Sequence, residues 1–278
     1  MSHDNGSPRA VLFWFVLLDF AIQWTACLFS AIFQTELFFD LTGSCTFLLG
    51  AFLSLAIGGS LHQRQVVASS LVSIWAVRLG TFLFTRILRR GKDSRFDGVR
   101  DQPIFLMMFW TVQGMWVLIV SLPLLVLNAS HPQPPWLSAT DVAGLALWSV
   151  GFLVETIADH QKLLFSLRQE NEGNWIASGL WSWSQHPNYF GEILLWFGLY
   201  LLTFSGLSPL YRITCLASPL FTLYALVRMS GIPLLDKASQ RRWGKDAAYQ
   251  AYRNSTSVLV PWPWPVNNSP AENHTHAE

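Results

Sequence analysis

The sequence predicts an all-α fold: a polytopic membrane helix bundle of about seven transmembrane helices, followed by a C-terminal region outside the bilayer. Three observations predict it. First, 51% of the 278 residues are hydrophobic and only 13% are charged, roughly half the charged share of a soluble domain. Second, apolar stretches of spanning length recur along the chain, and a span needs about 20 mostly apolar residues. Third, the basic residues gather in alternate loops, the pattern that orients membrane proteins. The 14 Trp and 20 Phe agree with this, because aromatic rings collect at membrane interfaces. A net charge of +1 provides no field for nucleic acid. Cys27, Cys45 and Cys215 all fall in apolar runs. They predict neither a disulfide framework nor, without CxxC or Cys/His clusters, a metal site.

The spans are expected at roughly 11–33, 41–61, 66–88, 104–128, 140–158, 190–207 and 210–228. No small-residue cleavage site follows a short apolar region at the start, so the first run is expected to stay as a span. Only Ser208 and Pro209 separate the last two, which predicts a tight helical hairpin. Arg78 lies midway along the third span. An arginine there costs at least roughly 2.5 kcal/mol to insert, so it should face the bundle interior. Asp19 in the first span and Glu155 in the fifth are its candidate counter-ions.

Loop charges give the orientation. Residues 86–101 carry six basic side chains, among them Arg86, Arg95 and Arg100. Lys162 and Arg168 follow the fifth span, and the tail holds Arg228, Lys237, Arg241, Arg242, Lys245 and Arg253. Seven spans put all three groups on one face, which the positive-inside rule makes cytosolic, C-terminus included. Loop 34–40, with Glu36 and Asp40, falls on the same face, and acids weigh little in that rule. Pro261-Trp262-Pro263-Trp264-Pro265 cannot be helical, since proline removes a backbone donor and restricts its predecessor. That run suits an interfacial anchor. The domain division is 1–139, an N-terminal bundle; 140–265, a C-terminal domain with the polar pocket; and 266–278, a disordered polar tail.

One stretch departs from the lipid-soluble pattern. Gly179 to Glu192, GLWSWSQHPNYFGE, gathers indoles, an imidazole, an amide, a phenol and a carboxylate just before an apolar span. Such groups are costly at a membrane boundary unless something uses them. Asn171-Glu172-Gly173-Asn174 has turn composition, so Lys162 and segment 181–189 are expected to meet over one cytosolic mouth. The set suits a flat anionic ligand such as a dinucleotide. Lysine meets phosphate as a point charge, and Trp181 and Tyr189 can border a ring. His186, Asn188 and Glu192 belong to the same cluster. Asp236 faces the same mouth, and Arg242, Trp243, Tyr249 and Tyr252 are candidates for its other wall. For any single aromatic the plainer reading is an interfacial belt. For Arg78 it is a structural ion pair, against a contact to substrate or phosphate. Glu36 and Asp40 flank Phe38-Phe39 and either can supply a proton. Asp93 and Arg95 equally fit a solvated loop.

With these residues in view, the chain resembles the membrane proteins that carry a steroid 5-alpha-reductase C-terminal domain. The likeness runs through Trp75–Gly80, Gly91–Arg95, Ala158–Lys162, Trp175–Glu192 and Ser230–Pro261. Its His186-Pro187-Asn188-Tyr189 core is shared with a wider superfamily, including sterol C14 reductases and isoprenylcysteine carboxyl methyltransferases. The resemblance implies an NADPH site at Lys162, Ile176, Trp181, His186, Asn188, Tyr189 and Asp236, joined by Arg242, Tyr249 and Tyr252. It also implies an endoplasmic-reticulum membrane and reduction of a double bond in a membrane lipid of steroid, sterol or polyprenoid type. Tyr189 or Glu36 is the expected proton source, and Arg78 a substrate contact. Two positions depart from the pattern. Gln185 stands where the family has arginine before the motif, and Ser166 where a second basic residue often follows the lysine. The alternatives are an S-adenosylmethionine-dependent methyltransferase of a lipid or lipidated cysteine, and a non-catalytic lipid-binding protein.

Overall fold

Prolines and small polar residues set where the helices begin. Ser7 caps the first helix, its hydroxyl accepting from the Ala10 amide, and Pro8 fills the first position, where a missing N–H costs nothing. His62 and Gln65 form a reciprocal capping box at the third. Pro103 and Pro209 open two more. The structure, a computed structural model, describes residues 6–262. Its elements are α1 (Pro8–Phe33), α2 (Phe39–Gly58), α3 (Gln63–Arg90), α4 (Pro103–Asn128), α5 (Ala139–Leu167), α6 (Pro187–Phe204), α7 (Pro209–Cys215), α8 (Ala217–Tyr224), a π-turn (Ala225–Met229), α9 (Ile232–Trp243) and α10 (Ala247–Ser255). No named strand occurs among the described residues. The all-α polytopic architecture is therefore as the sequence predicts. The disordered tail expected at 266–278 lies outside the described residues.

The span count differs by one. Among the described residues six helical runs are long and apolar enough to cross a membrane: α1 to α5 and the near-continuous stretch Pro209–Trp243. Helix α6 has only 18 residues, and its first turns hold Asn188 and Glu192. Those polar residues dilute its hydropathy. The last run is 35 residues long, well beyond the expected 210–228, because the π-turn and α9 follow α8 with only the bend at Ser230 and Gly231 between them.

The chain divides into two compact units. The first holds the described residues up to Ala146 together with Trp196–Phe221. Within it α1, α2, α3 and α4 pack on one another. An aromatic core sits among them: the Phe47 ring is 5.0 Å from Trp75 and 4.9 Å from Trp116, and Trp75 lies 4.8 Å from Trp196. Edge-to-face contacts of this kind add to simple area burial. The outward faces of α1 and α2 expose Phe13, Leu28, Phe29 and Phe52, as lipid-facing surfaces should. A polar chain runs through the interior. Gln23 donates to Asp19 (3.1 Å), and Gln113 donates to Gln23 (3.0 Å) and to the Phe39 carbonyl. Asp19 is thus held by Gln23 and does not act as the counter-ion of Arg78. The Arg78 guanidinium lies 5.7 Å from the Phe82 ring. Asn128 is fully buried and donates to Ser54 and Ser69.

At the other end of this unit, Arg64 and Asp141 are fully buried and joined by two bonds of 2.7 and 2.8 Å. Arg64 also donates to Gln133 and to the carbonyls of Pro134 and Pro135. Arg64 lies in the first turn of α3, and its charge is neutralised there by Asp141.

The second unit holds Leu147–Leu195 and the described residues from Thr222. Here α5 and α6 meet backbone to backbone. A Cβ on Gly191 would sit 2.5 Å from the Glu155 nitrogen and 2.6 Å from the Gly151 oxygen. Gly144 makes the same kind of approach to Gly198 and Leu202 within the first unit. The seam therefore uses glycine at seven-residue spacing on both helices, 144 and 151 against 191 and 198, which keeps small residues on one helical face.

Candidate functional site

The polar stretch is built into the second unit by three local devices. Gly179 adopts φ +61°, a conformation that glycine takes without strain, and the chain then makes a short 3₁₀ turn (Gly179–Ser182). Gln161 on α5 accepts from the Leu180 amide at 3.0 Å, pinning the turn. Trp181 is buried, and its indole N–H donates to the Ala158 carbonyl at 3.0 Å. Ala158, Ile176 and Trp181 form one apolar cluster with Phe165 and Leu180 against it. Pro187 then opens α6.

The tail closes the other side. The Ser184 hydroxyl donates to the Leu259 carbonyl at 2.8 Å, and the Gln185 amide N–H donates to Ser257. The Trp262 N–H donates to Trp183, so residues 257–262 run as a strap along segment 183–185. Asp246 caps α10 by accepting from Ala248 and Tyr249. Tyr249 is buried, 5.1 Å from Trp175 and 5.5 Å from Trp243. The Tyr252 hydroxyl donates to the Trp181 carbonyl at 2.8 Å, and burial pushes that phenol above its ordinary pKa.

These contacts bring most of the expected residues together. Lys162 Nζ lies 4.5 Å over the Trp181 ring. Asn188 donates to Asp159 at 3.1 Å, an acid one turn before Lys162 on α5. His186 stacks on Tyr189, with centroids 5.5 Å apart and planes 10° off parallel. Its side chain is only 8% exposed, yet neither nitrogen has a hydrogen-bond partner among the described residues. Its Nε2 is 3.9 Å from Asp236. Burial, then the charges of Lys162 and Arg253, push the imidazole pKa down to about 4. The ring is therefore neutral near pH 7, and at that distance the Asp236 contact is neither an ion pair nor a hydrogen bond. Asp236 pairs instead with Arg253 at 3.2 Å. Arg242 is exposed and lies 4.9 Å over Trp243. Ile176, Trp181 and Tyr249 thus serve packing as well as any ligand.

Two roles are invisible in the sequence. Gln185 donates its side-chain amide to the carbonyls of Arg253 (3.0 Å) and Thr256 (2.8 Å), the orphan acceptors at the end of α10. Arg253, one of many basic residues in the tail, turns inward to Asp236, and its Nη1 is buried without a partner among the described residues.

Glu36 and Arg78 belong to the first unit. Glu36 is buried, accepts from the Asp93 amide at 2.9 Å and pairs with Arg100. Asp40 pairs with Arg95 (2.8 Å) and Arg86 (3.3 Å), and Arg95 also binds Asp93. Loop 91–102 is thereby folded onto the start of α2. Burial works to raise the Asp93 carboxyl, but the hydrogen bonds and charge of Arg95 outweigh it and hold the pKa below the ordinary value. Beside Glu36 in sequence, Thr35 and Phe38 line an apolar cavity of about 630 Å³ with Ala26, Phe29, Cys45 and Trp110. That volume is within the usual range for small-molecule sites.

Fold and site together define a polytopic helical membrane protein with a polar mouth. The chain belongs to the family described as a protein of unknown function (DUF1295), whose model matches residues 26–256. It is similar to 3-oxo-5-alpha-steroid 4-dehydrogenase 1 of Rattus norvegicus, 28% identical over 44% of this chain and 41% of that protein. The same-named protein of Mus musculus is also 28% identical, over 44% and 42%. Steroid 5-alpha-reductase DET2 of Gossypium hirsutum is 39% identical over 23% of this chain and 25% of its own length. The chain thus spans less than half the length of these relatives. No solved structure matches it significantly.

Proposed function

We propose that this protein is an NADPH-dependent reductase of a double bond in a membrane-dissolved lipid, of steroid, sterol or polyprenoid type. The observation that supports it best is the mouth of the second unit. There a buried imidazole with two unpartnered nitrogens sits within electrostatic reach of Lys162 and Arg253, in a chain similar to steroid reductases. Buried polar groups normally have partners, so a ligand with acceptor oxygens fits this place. Lys162 would hold a phosphate as a point charge. Trp181, Ile176 and Tyr189 would border the ring system, with Asn188, Asp236, Arg242, Tyr249 and Tyr252 along the rim. When bound, NADPH supplies a hydride. The chain orients the lipid alkene, excludes water and delivers the proton. Tyr189 is the preferred donor, because the Glu36 oxygen that faces Arg100 is already occupied. Arg78, inside the first unit, would meet a polar group on the lipid. On this reading the mouth and C-terminus are cytosolic, in the endoplasmic-reticulum membrane.

One observation favours a second reading. The Gln185 amide is spent on α10 and brings no charge to the mouth, which would suit S-adenosylmethionine, a cofactor without phosphate. Cofactor titration of detergent-purified protein separates the two. Saturable NADPH binding that Lys162→Ala weakens at least about tenfold supports the reductase. Binding of S-adenosylmethionine alone would replace it, and binding of neither would leave a non-catalytic lipid-binding protein.

A further inference from the structure

We infer that Arg253 and His186 form, with Lys162, a built phosphoryl-binding site, in which Arg253 is the principal anion contact. The inference rests on the reading that the mouth takes a phosphorylated dinucleotide. It begins from unmet hydrogen-bonding capacity. Arg253 Nη1 and both nitrogens of His186 are buried in one cluster, and none has a partner among the described residues. The Arg253 side chain is 20% exposed, so Nη1 is turned away from bulk water. A stripped donor on a charged group is among the costliest things to bury, and phosphate oxygens are its natural acceptors. A neutral imidazole adds one donor and one acceptor.

Geometry fixes the guanidinium before any ligand arrives. Asp236 holds Nη2 at 3.2 Å, which leaves Nη1 pointing elsewhere. Gln185 holds the Arg253 carbonyl at 3.0 Å, so the backbone that carries the side chain is fixed as well. Gln185 cannot itself bind an anion, because its amide is already donated to two carbonyls. The site therefore carries its charge on α10, not at the threshold of α6. Asp236 serves to aim the arginine.

The experiment uses full-length protein in detergent, with inorganic pyrophosphate and NADPH as probes and thermal unfolding as the check on folding. Arg253→Gln should weaken both probes by about tenfold or more, and Arg253→Lys should recover part of the loss. Asp236→Asn separates ligand binding from scaffolding. Pyrophosphate reads the anion contact alone, so removing the opposing charge of Asp236 should tighten pyrophosphate binding. A purely structural Arg253–Asp236 pair would instead make both variants fail together, and that result overturns the inference. NADPH binding that is unchanged in a folded Arg253→Gln protein also overturns it while leaving the reductase reading intact. Pyrophosphate binding that depends on Arg253, with no NADPH binding, keeps the site and removes the reductase reading. Retention of phosphatidic acid alone, with no response to either probe, assigns the nitrogens to a lipid headgroup and rejects the nucleotide source.

Discussion

Replacing Asp141 by leucine would strand Arg64, a cation fully buried in the fold. Arg64 and Asp141 are both 0% exposed, and the carboxylate takes two of the five guanidinium bonds. The other three go to Gln133, Pro134 and Pro135. Removing one member of a buried pair costs about 3–5 kcal/mol, because the survivor remains charged and unpaired. Asp141→Leu should therefore lower stability by about 4 kcal/mol, and Arg64→Met by a similar amount. The double variant removes both charges and should be far less damaged than the sum. It still strips three acceptors of their donor, and three bonds from Ser138 and Ser205 of their acceptor, at up to about 1 kcal/mol each. Its net loss should be about 3–6 kcal/mol, against about 8 for additive singles. The measurement is a double-mutant cycle on detergent-solubilised protein, followed by tryptophan fluorescence during denaturation. Additive losses would refute the reasoning, since they would show that the pair is hydrated and not enclosed.

Other outcomes follow from the second unit. Gly191→Ala places a methyl within 2.6 Å of opposing backbone, and overpacking of this kind costs about 1–3 kcal/mol; an unchanged melting temperature would disprove the close approach. Gln185→Leu removes two bonds to the end of α10 and should cost about 1–3 kcal/mol, with faster amide exchange at residues 253–257 as the local readout. His186 titrates at about 4 in the fold against about 6.5 unfolded, facing Lys162, Arg253, Asp236 and Tyr189. The unfolded chain therefore binds more protons between pH 6.5 and 4. Stability is complete above about pH 6.5 and falls by about 3 kcal/mol as the pH drops through that window. His186→Phe should flatten this slope, and a slope that persists would exclude His186 as its origin.

Much of this arrangement was legible in the chain. Apolar length located α1 to α5, because lipid allows little else. Lys162, Trp181, His186 and Tyr189 stand out because they belong to one polar cluster, which is costly at a membrane edge unless something uses it. The sixth span, expected from 190, is α6, whose polar first turn keeps it short of the other spans in hydropathy. The wiring was not legible. Nothing local distinguishes Arg253 from Arg241 or Arg242; only the placement of α10 turns one inward. Gln185 read as a missing charge, while its role at the end of α10 depends on a partner 68 positions away. Arg64 and Asp141 are likewise 77 positions apart. Charge alone makes Asp19 a candidate counter-ion of Arg78 beside Glu155, whereas the geometry gives Asp19 to Gln23, one turn along the same helix.

The glycine seam divides the second unit into a part that cannot vary and a part that can. Where α5 and α6 touch, no side chain is admitted at 151 or 191, so Asp159, Lys162 and Asn188 sit on a chassis of fixed dimensions. The strap and α10 meet that chassis through side-chain bonds, which substitution can rewrite one at a time. Under the proposed reading, ligand preference would be retuned where the tail meets the mouth, at Gln185 and Arg253, without disturbing the helical frame that carries the rest of it.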